Sequence, residues 1–390
     1  MQANAASREA FVICDQCNAR PLSYNVPVTS MTRRGCLAAL AETAVSGLAK
    51  AAAESVDVFR AGEDGFHTFR IPALLATRKG TLLAFAEGRR GGRGDSGDID
   101  IVLKHSADQG RTWSPIQTVA DRGADTIGNP CPVQDRGTGR IFLPLTFNPG
   151  NVTEAQMIKR EVDTRRTVFL TYSDDDGKTW APLTEITDSV RKPNWTWYAT
   201  GPGVGIQTRK GRLIIPCDHV AEGESNSVSH VFFSDDHGRT WHLGGEAPEK
   251  GTNESQIVEL RDGSLMLNMR STRGRNRRGV TRGTDGGATW SAVTWDETLI
   301  EPVCQASIIA HRGALYFSNP ASSTKRELMT VRVSHDAGRT WSKGRVLHEG
   351  PAAYSCMAPL KNNMLGCLYE CGAANPYERI AFARITSSSL

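Results

Sequence analysis

Outside its first 54 residues the chain has no run approaching the ~18 apolar residues that a membrane-spanning helix requires, although 39% of its 390 residues are hydrophobic. It has little net charge. A balance of +4 leaves no electrostatic footprint for a nucleic-acid partner. Nothing in it demands a disulfide framework, because its nine Cys are odd in number and scattered. Cys131, Cys217 and Cys367 lie in apolar, strand-like contexts and read as small buried hydrophobes. Cys14 and Cys17 have the spacing of half a zinc site, but no second pair follows. There is no phosphate loop, no His-Glu-x-x-His and no Gly-x-Ser-x-Gly elbow. Asp174, Asp175, Asp176 and Gly177 open like a calcium loop, yet Leu183 stands where its bidentate Glu belongs. No metal and no cofactor is expected.

What the chain does have is a repeated octet, S-x-D-x-G-x-T-W. It occupies residues 106–113, 173–180, 234–241 and 334–341, and a fifth copy at 283–290 starts with Gly instead of Ser. In each copy the Asp can accept backbone N–H groups just ahead of it and close an Asx-type turn. The Gly supplies a positive φ, and the Trp is a large apolar peg with one polar handle. Apolar, alternating segments precede the octets at 99–103, 167–172, 229–233 and 328–333, which reads as strand then turn. The boxed residues Trp113, Trp180, Trp241, Trp290 and Trp341 fall 67, 61, 49 and 51 positions apart. That is the span of one four-stranded blade with its loops, and it predicts an all-β, six-bladed β-propeller.

Strand rhythm runs from Ser55 to Ile385. Residues 56–60 and 380–385 are the expected partners for closing the ring and removing a free sheet edge. Loops are expected at 148–166 and 273–282, where function concentrates on an all-β scaffold. Residues 1–54 stand apart from this 55–390 domain, without octets or strand rhythm. Met31, Arg33, Arg34 and the apolar stretch 36–48 read as a leader, which favours a secreted or periplasmic chain over a cytoplasmic one. Glu42 and Lys50 interrupt that stretch, so an Ala-rich helix or disordered extension is the equal alternative.

Arg70, in Phe69-Arg-Ile-Pro, is out of place on an apolar strand, because a buried charge needs a partner. An "RIP" Arg followed by repeated Asp boxes resembles the exo-sialidases (neuraminidases) of bacterial and animal type, over about residues 55–385. The resemblance implies a six-bladed propeller glycoside hydrolase acting on sialylated glycans, as a monomer. It implies three Arg clamping the sugar carboxylate, matched by Arg70, Arg270 and Arg326. Planar guanidinium forks suit that task because they bind carboxylates bidentately and stay charged. The family's acid/base matches Asp95, with Asp98 and Asp100 as fallbacks. Its nucleophile pair matches Tyr354 and Glu254, sialidases being the exception to the two-carboxylate rule. Secondary contacts match Arg89, Glu154 and the segment at Asn129, and Tyr198 is expected to line the glycerol side-chain pocket.

Arg275, Arg277 and Arg278 read as a solvated basic loop that draws in an anionic sugar. Two alternatives to hydrolysis stand: transfer of sialic acid to a sugar acceptor, and a non-catalytic propeller that binds sialoglycans. The boxed turns are expected away from the pocket, with Asp108, Asp175, Asp236, Asp285 and Asp336 serving the fold.

Overall fold

The computed structural model describes residues 55–390; the expectations for residues 1–54, including the leader and the Cys14–Cys17 pair, lie outside them. Strands dominate, in sheets of seven, nine, five and four strands. The ladders are antiparallel except for one parallel bridge, Ile99 to Thr126. That bridge divides the nine-stranded sheet into two meanders, one before it and one after. The seven-stranded sheet divides within the long strand Arg345–Pro359. Its first half pairs with Glu327–Ser334 and its second half with Met364–Cys371. The strands thus fall into six successive antiparallel meanders. Ser55–Arg60 pairs with Arg379–Thr386, so the first described strand is the outermost strand of the last meander, as expected.

The core follows from strand patterns too apolar for a surface sheet. Leu82–Arg89 is buried at every position, and a strand buried on both faces needs partners above and below. Each of six hydrophobic clusters is shared by two successive meanders. Phe85 and Leu143 lie in one, Phe142 and Trp195 in the next, then Val231 with Leu267, Met266 with Phe317, and Met329 with Leu365. The sixth joins the last meander to the first, through Phe382, Leu368, Phe69 and Leu82. Each such side chain contributes about 1.5–3 kcal/mol of burial. The Cys at 131, 217 and 367 are buried and free.

The octets explain how neighbouring meanders lock. In the first, Asp108 Oδ1 accepts the N–H of Arg111 and of Thr112, both at 3.0 Å, and Oδ2 accepts the Thr112 hydroxyl at 2.7 Å. Ser106 Oγ accepts the Gly110 N–H at 2.8 Å. The Asp108 and Ser106 side chains thus close the turn, and the bonds that Asp108 accepts hold its carboxyl below the ordinary carboxylate range. Gly110 has φ +80°, and a Cβ there would lie 2.0 Å from the Phe382 ring. Trp113 meets that same Phe382 edge-on at 5.3 Å. Trp180 does so on Phe85 at 5.7 Å and Trp241 on Phe142 at 5.6 Å. Trp290 and Trp341 reach back with their indole N–H groups, to the Gly245 carbonyl and to Asp296. Each box thus latches its own meander onto the preceding one.

Two expectations about loops change. Residues 273–282 are largely strand, Arg277–Gly283. Within it Arg278 is fully buried, its guanidinium bonded to Glu301 at 2.6 Å, to Asn268 Oδ1 at 2.7 Å and to the Cys304 carbonyl at 2.9 Å. A guanidinium with this set of acceptors can leave water, so Arg278 is no solvated loop cation. Residues 148–166 hold a short helix, Glu154–Ile158, with a Thr153/Gln156 capping box.

Gly110→Ala is expected to cost roughly 2–4 kcal/mol, from overpacking against Phe382 and from a strained φ. Thermal melts paired with activity assays check this: the melting temperature falls while kcat per folded molecule holds. Lost kcat in fully folded protein would instead tie the boxed turns to the chemistry.

Candidate active site

Eight of the nine expected site residues converge on one cavity of about 290 Å³: Arg70, Arg89, Asp95, Glu154, Glu254, Arg270, Arg326 and Tyr354. No octet residue lines it. The convergence is long-range. Arg70 sits on Thr68–Ala76, where a bulge and a positive φ at Ile71 turn the strand. Glu254 sits on Thr252–Glu259, Arg270 on Leu265–Ser271 and Tyr354 on Arg345–Pro359.

Tyr354 is the centre of the cluster. Its hydroxyl donates to Glu254 Oε1 at 2.5 Å, and Arg270 Nη1 reaches Glu254 Oε2 at 2.5 Å and the Tyr354 hydroxyl at 3.2 Å. The Arg70 and Arg326 guanidinium groups lie 5.1 and 5.6 Å from the Tyr354 ring centre. Burial, and then the Glu254 carboxylate, push the phenol well above its ordinary pKa, while Arg270, Arg326 and Arg70 pull it down. The resting group is a neutral phenol bonded to a carboxylate.

Arg70, Arg270 and Arg326 each have their own protein acceptors. Arg70 donates from Nε and Nη2 to the two oxygens of Glu370, at 3.2 and 3.4 Å. The same carboxylate accepts the N–H of Ile71 at 2.8 Å and of Tyr354 at 3.1 Å. Arg326 donates to the Tyr377 hydroxyl at 2.9 Å and the Val303 carbonyl at 3.1 Å. Glu301, held by Arg278, accepts the Ser271 N–H at 2.6 Å, next to Arg270. The buried ion pair at 278 and 301 thereby steadies the strand that carries Arg270.

Asp95 stands in the loop after Leu82–Arg89, its side chain 71% exposed, 2.7 Å from Arg89 Nη1 and 3.5 Å from Arg70 Nη1. Partial desolvation pushes its pKa up, but Arg89 and Arg70 outweigh that and hold the carboxyl below the ordinary range. The two fallbacks do not line the cavity. Asp98 and Asp100 both pair with Arg90, at 3.3 and 2.8 Å. Arg89 is itself fixed by Glu87 at 2.5 Å. Glu154 is exposed on the cavity wall, where reduced contact with bulk water raises its pKa and Arg166 opposes the shift. Asn129 is on the same wall.

Tyr198 is not at the cavity. It is fully buried, packed against Trp195 and His230, with its hydroxyl 3.4 Å from Cys217 Sγ. The strand Trp195–Thr200 carries a bulge between Trp195 and Trp197. The extra residue flips the alternation, so Trp195 and Tyr198 share the core face and Trp197 lines the cavity. Sequence reasoning also passed over Glu370, Glu87, Arg166, Asp218 and Tyr377. Glu370 had a usable signal, a lone acid in the apolar strand Met364–Cys371, the same anomaly that marked Arg70.

The model of the BNR repeat-like domain family matches residues 80–367. Over 352 residues the chain is 36% identical to a sialidase of Micromonospora viridifaciens, which covers 83% of this chain and 53% of that protein. It is 34% identical over 340 residues to an exo-alpha-sialidase of Aspergillus fumigatus, covering 78% and 79% of the two chains. With Sialidase-3 of Homo sapiens it shares 31% identity over 396 residues, covering 84% and 91%. A solved Hadza microbial sialidase superposes with a TM-score of 0.78 at 31% identity, over 86% of this chain and 69% of that one. The chain belongs to the exo-alpha-sialidase family of glycoside hydrolases. It spans about half the length of the Micromonospora relative.

Removing Glu370 strands a buried guanidinium. Glu370→Ala is expected to cost about 3–5 kcal/mol of stability, with Glu370→Gln recovering much of it through the retained acceptor oxygen. Chemical denaturation of the two variants decides this, and equal stability of Glu370→Ala and wild type would show that Arg70 does not depend on Glu370.

Proposed function

We propose that this protein is a retaining exo-alpha-sialidase that releases terminal sialic acid through a covalent tyrosyl intermediate. The observation that carries the reading is the three-way contact of Tyr354, Glu254 and Arg270 beside two further arginines. We further read the six meanders as the blades of a six-bladed propeller, closed by Ser55–Arg60. The run of shared clusters, in which the last meander packs on the first, supports closure.

In this mechanism Arg70, Arg270 and Arg326 hold the sugar carboxylate, which places the anomeric carbon over the Tyr354 hydroxyl. An anionic nucleophile would be repelled by that carboxylate, whereas a neutral phenol is not. As the phenol oxygen bonds to the anomeric carbon its proton passes to Glu254 Oε1. The glycosidic C–O bond breaks and Asp95 gives its proton to the leaving oxygen. Water then attacks the same carbon, losing a proton to Asp95. The tyrosyl C–O bond breaks, and Glu254 returns the proton to Tyr354. Two displacements at one carbon retain configuration.

Asp95 must be protonated to act first, yet Arg89 and Arg70 favour its anion. The substrate supplies the correction. Its carboxylate neutralises part of the field at Arg70, and a neighbouring negative charge raises a carboxyl pKa.

Tyr354→Phe is expected to lose at least about 10²-fold in kcat on a fluorogenic sialoside, with the melting curve unchanged. Wild-type-like turnover by that variant would sink the assignment of the nucleophile. The pH profiles give a second test. The alkaline limb of kcat, which titrates Asp95 in the bound complex, should lie at higher pH than the alkaline limb of kcat/KM, which titrates it in free enzyme. Coincident limbs would mean that the substrate carboxylate does not reach Asp95 through Arg70.

A further inference from the structure

Arg166 is 3% exposed, lines the cavity and lies with its guanidinium 4.1 Å from the Trp197 ring centre. Its guanidinium makes no hydrogen bond to any described residue, and its Nε is buried without a partner. Every other arginine of the cavity has a protein acceptor: Arg70 has Glu370, Arg89 has Glu87, Arg270 has Glu254, and Arg326 has Tyr377. A buried donor left unpaired is costly. The Trp197 ring offsets part of that cost, but burial still lowers the pKa of Arg166 even with Glu87, Glu154 and Asp218 nearby.

Those carboxylates narrow what the missing partner is. Together with Asp95 they stand near Arg166, although burial pushes the Glu154 and Asp218 carboxyls up toward their neutral forms. What is absent is an acceptor atom in contact, and Asp95, whose anion Arg89 and Arg70 favour, disfavours a second anion beside it. Trp197 narrows it further. The guanidinium covers its ring, and the lining beside it mixes polar groups, Asn129, Glu154 and Asp218, with the apolar Ile158 and Val220. A planar fork stacked on a ring is also fixed in direction, so the donors are already oriented before the ligand arrives.

We propose that Arg166 is a specificity-determining residue that donates to a neutral oxygen of the bound sugar, on the cavity wall formed with Trp197, Glu154 and Asp218. This rests on the sialidase reading above, in which the sugar carboxylate is held by Arg70, Arg270 and Arg326. Two parts of a sialoside can present such an oxygen: the glycerol arm and the substituent at C5.

The experiment compares wild type with Arg166→Ala on three aryl sialosides sharing one leaving group. One is intact, one has its glycerol arm shortened by mild periodate oxidation and borohydride reduction, and one has a hydroxyl in place of the C5 acylamino group. On the intact substrate Arg166→Ala should lose roughly 10- to 100-fold in kcat/KM, the worth of a hydrogen bond to a charged donor. If the arm is the source, the shortened substrate abolishes the difference between the two enzymes. If the C5 substituent is the source, only the C5 exchange alters that difference. Equal loss on all three substrates, or no loss on any, overturns the proposal. Arg166→Lys keeps a cation on a flexible stem and serves the same comparison if the alanine variant does not fold. A wild type that releases no sialic acid from any of the three would instead sink the sialidase reading, so the two failures are distinct.

Discussion

Three guanidinium groups surround one phenol ring, and they repel one another before any substrate arrives. In a site screened from water such repulsion is several-fold stronger than at a surface. The fold holds the three together only because each has been given acceptors: Glu370 for Arg70, Glu254 for Arg270, Tyr377 and the Val303 carbonyl for Arg326. Much else in the structure serves this requirement. Glu301 and Arg278 form a fully buried pair whose role is not chemistry but the placement of the strand next to Arg270 and of the segment that carries Val303. Such pairs add little net stability, yet removing one member leaves an uncompensated charge. Their effect is to fix geometry.

Geometry of this kind needs a stiff frame, because the contributing strands are far apart in sequence. Arg70 and Glu370 are 300 residues apart, and Glu254 and Tyr354 are 100. The boxed turns supply stiffness where it does not interfere with the cavity. In each turn the Asp accepts both the N–H and the hydroxyl of the Thr, and the turn then presses a Gly and a Trp onto the preceding meander. At Gly110, a methyl group would already collide with Phe382. Close approach of this sort transmits position from one meander to the next with little slack.

The octets were legible in the sequence because their chemistry is local: eight residues close their own hydrogen bonds, so the pattern survives without tertiary context. Arg70 was legible for the opposite reason, as a charge where the strand pattern demanded an apolar residue. Glu370 carries the same anomaly, an acid in the otherwise apolar strand Met364–Cys371. What the sequence hid were parity and burial. A single bulge between Trp195 and Trp197 exchanged the core and cavity faces, sending Tyr198 inward and Trp197 outward. No periodicity argument survives an unannounced extra residue. Arg278 hid differently, in a run of basic residues typical of solvated loops, and only its distant partner Glu301 separates it from its neighbours.

Two carboxylates contact Tyr354, Glu254 at the phenol and Glu370 at the backbone N–H, and counting lone pairs distinguishes their parts. Glu370 accepts four hydrogen bonds, two from Arg70 and one each from the backbone of Ile71 and Tyr354. An ionised carboxylate has about four such positions, so Glu370 is saturated and has nowhere to take a proton without breaking the contact that orients Arg70. Glu254 accepts two bonds, one on each oxygen, from Tyr354 and Arg270. The oxygen facing the phenol is free to receive its proton, and Arg270 on the other oxygen steadies the charge before transfer. The side chains are chemically identical. Their hydrogen-bond occupancy alone makes one a fixed strut and suits the other to the proton transfer proposed for Glu254.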